Sequence, residues 1–387
     1  MKLDVYIKNG HVVDTAQGID EVAGIGIKGR RIAAVFRGNS HEDADAEDID
    51  SEKVIDAGGC WVFPGLIDYH AHLHVSRGIS VCPDYFIPTG VTAAVDAGST
   101  GGANYDSFHR ATICHSNLRI RSYLSICSAG IVDDNYPEDY SLERVKEDSI
   151  RRIFDIYGEG ILGIKVRLSR NLVSDYKILE KAVKLAEELG TRVCVHPTAS
   201  ALGVSPILDL LRKGDVFAHM YQGNGDTIAD EQGRIKQEAV EARKRGVIFD
   251  VANGRWNYCH QVAQNAIAAG FKPDIISTDQ TLDKINYLPH AKNLPHVMAK
   301  FLSMGMTLGE VVKSVTETPA KEMGMEGEIG TLKEGALADV SIFKIVNKNS
   351  RHLDFRDEAF ESELLLVPQM TILDGDIAFA QMDFNLY

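Results

Sequence analysis

No run in the 387 residues approaches the ~20 consecutive apolar residues that a bilayer-spanning helix needs, so no membrane partner is expected. The six cysteines (Cys60, Cys82, Cys114, Cys127, Cys194, Cys259) are scattered and include no CxxC pair, which argues against a disulfide frame. In a chain of this length they read as reduced, mostly buried thiols of a cytoplasmic protein. Basic residues are outnumbered, 41 against 55 acidic, and the net charge of -14 without a basic stripe excludes a nucleic-acid partner. No glycine-rich phosphate fingerprint follows an early strand, which weighs against an open dinucleotide-binding sheet. The opening Met1-Lys2-Leu3-Asp4 has no charged head followed by an apolar run, so no cleaved signal is expected.

What is present is an ordinary globular composition, 44% apolar and 25% charged, in a chain long enough for one large core and a smaller second one. Residues 1–60 alternate ("LDVYIKNGHVVD", "AGIGIKGRRIAAV") with Asn9-Gly10 and Gly29 as turns, the pattern of antiparallel sheet. The charged stretch 40–53 is expected to be a solvated loop. From residue 326 onward "GTLKEGALADVSIF" and "QMTILDGDIAF" return to short strands and glycine turns. The two ends, 1–60 and 326–387, are therefore expected to form one small β-sandwich-like domain.

Between them, over 61–325, strand, loop and helix alternate. Eight apolar runs stand at 60–70, 91–98, 119–128, 161–168, 191–197, 215–220, 246–252 and 273–279. The clearest helix is "SDYKILEKAVKLAEELG", with Ser174 as N-cap and Gly190 as stop; a second is "DEQGRIKQEAVEARKRG". Eight strands alternating with helices over roughly 270 residues predict an α/β fold, a (β/α)8 TIM barrel. The methionine-rich segment 293–325 suits helices packed behind the barrel. His11, His41, His109, His115 and His352 lie away from strand ends and read as surface or satisfied packing residues. Cys82 has no neighbouring base that would make it a nucleophile.

The chemistry lies in how the runs end. His70 and His72 close the first, Lys165 ends the fourth, His196 the fifth, His219 the sixth and Asp279 the eighth. In a (β/α)8 barrel the C-terminal strand ends converge on the active site. His70 and His72, two apart on an extended strand, face the same way and form a chelating pair. The bland alternative, buried histidines bonded to carbonyls, requires a separate partner for each in one shared register.

Lys165 among metal-bound histidines must be either a neutral amine or a carbamate formed with carbon dioxide; the alternative is a strand-end cap against a carboxylate. A bridging carbamate could hold two divalent ions roughly 3.5 Å apart. His70, His72, Lys165 and Asp279 would then hold one, and Lys165, His196 and His219 the other. Asp279 is the candidate general base and then acid. Zinc fits an N/O donor set, with manganese, cobalt and iron not excluded.

The string "FPGLIDYHAHLH" resembles the signature of the amidohydrolase superfamily, whose members include dihydroorotases, hydantoinases, ureases and N-acyl-amino-acid deacetylases. The resemblance spans nearly the whole chain. It implies a metal barrel flanked by a small sheet domain from both termini, a first-strand pair at His70 and His72, and an often carbamylated lysine at Lys165. It further implies later histidines at His196 and His219, a catalytic aspartate at Asp279, and a return strand ending at Ala338-Asp339.

Dihydroorotases normally follow this HxH with leucine and a substrate-binding arginine, whereas here Leu73 is followed by His74. "GIKVR", "HMYQG" and "ISTD" are more similar to a deacetylase-like branch. The leading expectation is hydrolysis, by metal-activated hydroxide, of the amide or ester bond of a small acylated carboxylic acid, an N-acyl amino acid or O-acyl hydroxy acid. The alternative is a cyclic amidase opening a dihydroorotate- or hydantoin-like ring. A noncatalytic assembly subunit would have lost ligands, and here the set is complete. Arg167 is the first candidate for the substrate's carboxylate, with Arg77 and Arg255 on the mouth side; each could instead be a surface salt-bridge partner. Tyr221, Gln222, Asn224, Asn253, Trp256 and His74 are further candidates for substrate contact. The glycine-rich "DAGSTGGANYD" could run near the substrate, with Gly98 and Gly101 keeping the backbone close. Homo-oligomerisation is compatible with the sequence, with no interface readable in it.

Overall fold

The computed structural model describes residues 2–38, 49–74, 79–133, 136–282, 285 and 288–384. Arg77, His41 and residues 40–48 of the charged stretch lie outside them. The chain builds two sheets. The strands are β1 (Leu3–Asp14), β2 (Ile19–Lys28), β3 (Arg31–Arg37), β4 (Ser51–Asp56), β5 (Trp61–Pro64), β6 (Leu66–Ala71), β7 (Val91–Gly101), β8 (Arg119–Ser125), β9 (Ile161–Arg167), β10 (Arg192–His196), β11 (Val216–Phe217), β12 (Ile248–Phe249), β13 (Val340–Leu353), β14 (Ala359–Leu373) and β15 (Asp376–Ala380).

The termini share one eight-stranded sheet, ordered β15-β14-β13-β5-β1-β2-β3 with β4 also on β1. It is mixed, not purely antiparallel, because β4 and β5 both run parallel to β1. The last residues of the charged stretch, Ser51–Lys53, expected to be loop, open strand β4: Ser51 and Lys53 pair with Leu3 and Val5, and backbone pairing outweighs the exposed charges there. The apolar run 60–70 is likewise two strands. Trp61–Pro64 pairs with β1 and β13 in the terminal sheet, and only Leu66–Ala71 enters the barrel. Gly65 makes the switch, since a Cβ there would lie 2.2 Å from Thr92 Oγ1.

The second sheet is parallel and curled, β6 to β12 in chain order. The eighth run closes it through isolated bridges, Ile275 to Asp250 on one side and Gln280 to Ala71 on the other. Buried Asp68 fastens the seam by accepting from the amide and hydroxyl of Thr278, at 3.0 and 2.6 Å. The architecture is thus an α/β barrel of TIM type beside a separate mixed sheet drawn from both ends.

Ile67, Tyr69, Tyr123, Cys194 and Val216 fill the barrel interior, where the Tyr69 and Tyr123 hydroxyls meet at 2.9 Å. Above them His70 and His72 line the mouth. The register shift between Asp68 and Ala71 accommodates that change of parity. The predicted helix after β9 is shorter than its pattern, Lys177–Glu188. Ser174 does not cap it; Asp175 Oδ1 instead accepts the Lys177 amide at 3.0 Å. Of "DEQGRIKQEAVEARKRG" only Gln237–Arg245 is helical, with Asp230 folding the preceding residues into a turn. Met298, Met306 and Met323 are buried in the predicted helical segment. All six cysteines are free, with Cys82 and Cys114 exposed. Among the described residues no helix is long and apolar enough to cross a membrane.

Candidate active site

The mouth of the barrel is a cavity of about 470 Å³ whose lining includes His70, His72, Lys165, Arg167, His196, Asn224, Trp256, Asn257 and Asp279. His70, His72 and Asp279 are all buried and place ligand atoms within 4.8 Å of one another, the one such group among the described residues. His72 Nε2 lies 3.2 Å and His70 Nε2 3.9 Å from Asp279 Oδ1. The His219 ring stands 5.0 Å from that of His70 and 4.3 Å from that of His196. Lys165 Nζ is 3.2 Å from His70 Nε2. Six strand-end side chains therefore do meet.

Their outer partners decide which ring nitrogen faces inward. Ser99 Oγ donates its only proton to Asp96 Oδ2 at 2.7 Å, so at 2.8 Å from His72 Nδ1 it must accept. His219 Nδ1 lies 2.7 Å from the Ala252 carbonyl, which can only accept. His70 Nδ1 donates to Asp250 Oδ2 at 3.0 Å, and Asp250 itself accepts from Ser277 Oγ. Nδ1 of His72 and of His219 thus carries the proton, as does that of His70 beside ionised Asp250, which makes Nε2 the unprotonated nitrogen in each ring. This is the outer-shell arrangement of metal-binding histidines. Burial, with Lys165 and His219 nearby, holds His70 well below the ordinary imidazole range; burial, His219 and Arg167 do the same for His196. The Nε2 atoms of His70 and His72 together with the Asp279 carboxylate fit a divalent cation.

The backbone is bent to allow this. His219 and Asp279 take left-handed φ values of 55° and 51°, costly for side-chain-bearing residues and typical of functional sites. Asn257 Nδ2 donates to Asp279 Oδ2 at 2.8 Å, leaving Oδ1 toward the histidines. Gly98, at φ 85°, has no substitute: a Cβ would lie 2.5 Å from Lys165 Cβ.

Of the residues predicted to meet substrate, Arg167, Asn224 and Trp256 line the cavity. Arg77 lies outside the described residues, and the remaining candidates make contacts of their own. The Tyr221 hydroxyl donates to the Phe271 carbonyl at 3.0 Å, behind the barrel wall. Gln222 accepts the Asn224 amide at 2.8 Å and donates to the Asp226 carbonyl, which shapes the loop carrying Asn224. Asn253 bonds the carbonyls of Gly254 and His290 and accepts from Lys300. The Arg255 guanidinium lies over the Trp256 ring, 4.6 Å from its centroid. His74 packs edge-on against Phe108.

The sequence reading missed Asp96, Ser99 and Asp250, which orient the metal-site histidines, and Asn257. A signal existed for the two aspartates: each interrupts an otherwise apolar strand run, "VTAAVDAG" and "GVIFDVA".

Set beside known proteins, the chain is 30% identical over 330 residues to a deacetylase of Agrobacterium fabrum, covering 83% of this chain and 80% of that protein. The chain belongs to the amidohydrolase superfamily. The profile of the amidohydrolase family matches residues 259–378 of this amidohydrolase. Among solved structures it is similar to an adenine deaminase, with TM-score 0.86 and 28% identity, covering 98% of this chain and 100% of that one. It is equally similar to a dihydroorotase, with TM-score 0.85 and 27% identity, covering 97% and 98%. The cluster and the family together make it a metal-dependent hydrolase of small amide or ester substrates, working through a His/His/Asp metal site.

Proposed function

We propose that this amidohydrolase removes the acyl group from a small acylated carboxylic acid, an N-acyl amino acid or an O-acyl hydroxy acid. The observation that carries this reading is Arg167, a guanidinium in the wall of the same cavity as His70, His72 and Asp279. It offers a substrate carboxylate a fixed cation beside the reacting centre. The deacetylase relative supports the choice of bond.

In this reading His70, His72, Lys165 and Asp279 would hold one divalent ion and Lys165, His196 and His219 a second, with Lys165 serving as a carbamate and zinc the fitting metal. Bound there, the metal supplies a water acidic enough to ionise near neutral pH and polarises the scissile carbonyl. Asp279, steadied by Asn257, takes the proton of the attacking water and returns it to the leaving amine or alkoxide. Asn224 and Trp256 shape the space for the acyl group and side chain.

Ring opening is the second reading, favoured by the likeness to a dihydroorotase. Against it, His74 stands where a ring-binding arginine is expected and packs on Phe108. A panel of both enantiomers of N-acetyl amino acids and O-acetyl hydroxy acids, assayed beside dihydroorotate and hydantoin, separates the two. Acetate release is expected; ring turnover without acetate release overturns the deacylase reading.

A further inference from the structure

Arg167 ends β9, where its guanidinium lines the metal cavity and its Nη1 donates to Glu138. Glu138 itself lines a neighbouring groove of about 610 Å³, walled by segments 137–143 and 171–178. The ion pair therefore stands between two spaces, with Glu138 lining the groove and Arg167 the cavity. Tyr140 completes the clamp. Its hydroxyl donates to Glu138 Oε1 at 2.8 Å and accepts the Arg167 backbone amide at 3.3 Å. One carboxylate oxygen thus holds the guanidinium, and the other is tied through Tyr140 to the backbone of the same residue.

This is not a surface salt bridge. The Glu138 side chain is 6% exposed and the Arg167 side chain 27%, the open part facing the cavity. A guanidinium carries five N–H donors. Among the described residues its acceptor is Glu138, through Nη1, which leaves the other edge for a bound anion.

We propose, building on the carboxylate-substrate reading above, that Glu138 and Tyr140 are positioning residues that give the site its preference for anionic substrates. They fix the plane of Arg167 so that its open edge presents paired donors to a carboxylate lying beside the metal ligands. Without the clamp the arginine keeps its charge and loses its direction, and a bidentate contact depends on direction.

The test is steady-state kinetics of the metal-loaded enzyme on an N-acetyl amino acid from the panel and on its neutral carboxamide, with thermal stability followed in parallel. Glu138→Gln should raise KM for the carboxylate about tenfold, the scale of a lost charge-assisted contact. It should leave kcat within about threefold and KM for the carboxamide unchanged. Glu138→Asp should recover part of the preference, and Tyr140→Phe should lose it in the same direction by a smaller factor. If Glu138→Gln does not fold, Tyr140→Phe, which removes one hydroxyl, decides. Variants that lower stability but keep the carboxylate-to-carboxamide ratio of the parent overturn the proposal. Arg167→Gln separates the two levels. A ratio unchanged in that variant sinks the carboxylate reading itself, whereas a ratio lost there but kept in the Glu138 and Tyr140 variants sinks only the clamp.

Discussion

At the scale of single residues the site depends on groups that never touch substrate. Ser99 fixes the tautomer of His72 because its one proton is committed to Asp96. Ser99→Ala should therefore weaken metal binding about 10–100-fold while leaving the fold intact, measurable by competition with a chromophoric chelator. Unchanged affinity would show that His72 needs no such partner. Gly98→Ala combines a backbone at φ 85° with a Cβ 2.5 Å from Lys165 Cβ. It should displace Lys165, cost about 1–3 kcal/mol in thermal or denaturant unfolding, and lower metal content. The converging side chains themselves were legible because each ends an apolar run. Their orienting partners come from other strands, so no local pattern links Ser99 to His72 or Asp250 to His70. Likewise the side-chain direction of Asn253 depends on Lys300, 47 residues further on.

At the scale of elements, the hairpin of β13 and β14 packs buried His352 and Asp354, beside its turn, against helices His260–Ala268 and Leu294–Ser303 through a cluster of histidines. His296 and His352 stack with ring centroids 4.0 Å apart. Neither ring nitrogen of His352 has a hydrogen-bond partner among the described residues, so this histidine is buried packing but not satisfied packing. Buried Lys300 donates to Asn253 from the same region. Burial, with Lys300 nearby, pushes His260 down to about 4 and His296 down to about 3, while Asp354 and the backbone carbonyls of His352 and Arg351 partly oppose this. The unfolded chain takes up these protons near 6.5, the folded chain only near 4 and 3. Their contribution to stability is thus present above pH 6.5 and is lost as pH falls, by up to about 1.4 kcal/mol per pH unit for each group. Tm should fall between pH 6.5 and 4, and His296→Phe should flatten that slope; parallel slopes in parent and variant would contradict the assignment. The helices behind the barrel were legible from periodicity. The hairpin's contact with them was not, because long-range pairing leaves no mark in a local window.

At the scale of the whole molecule, the terminal sheet and the barrel are one construction. Arg119 on β8 donates to Asp339 at 2.7 Å and also to Asp374, tying the barrel to the return strands. Burial pushes Asp339 up to about 6 even with Arg119 beside it. Arg119→Ala would leave that buried carboxylate uncompensated and should destabilise the protein by about 3 kcal/mol, read as a fall in denaturant midpoint. Alternating strands and helices made the barrel legible, as the β-rich ends did the second sheet. The crossing between them was hidden, because Trp61–Pro64 and Leu66–Ala71 read as one apolar run until Gly65 is seen turning the chain from one sheet to the other.

These converging side chains are built to work with a metal between them. The most direct test of this is to measure metal stoichiometry and turnover in one sample as the protein is stripped with chelator and titrated back with zinc. Turnover should vanish with the metal and return in proportion to the metal bound, with Tm rising in step. Full turnover in metal-free protein would contradict it.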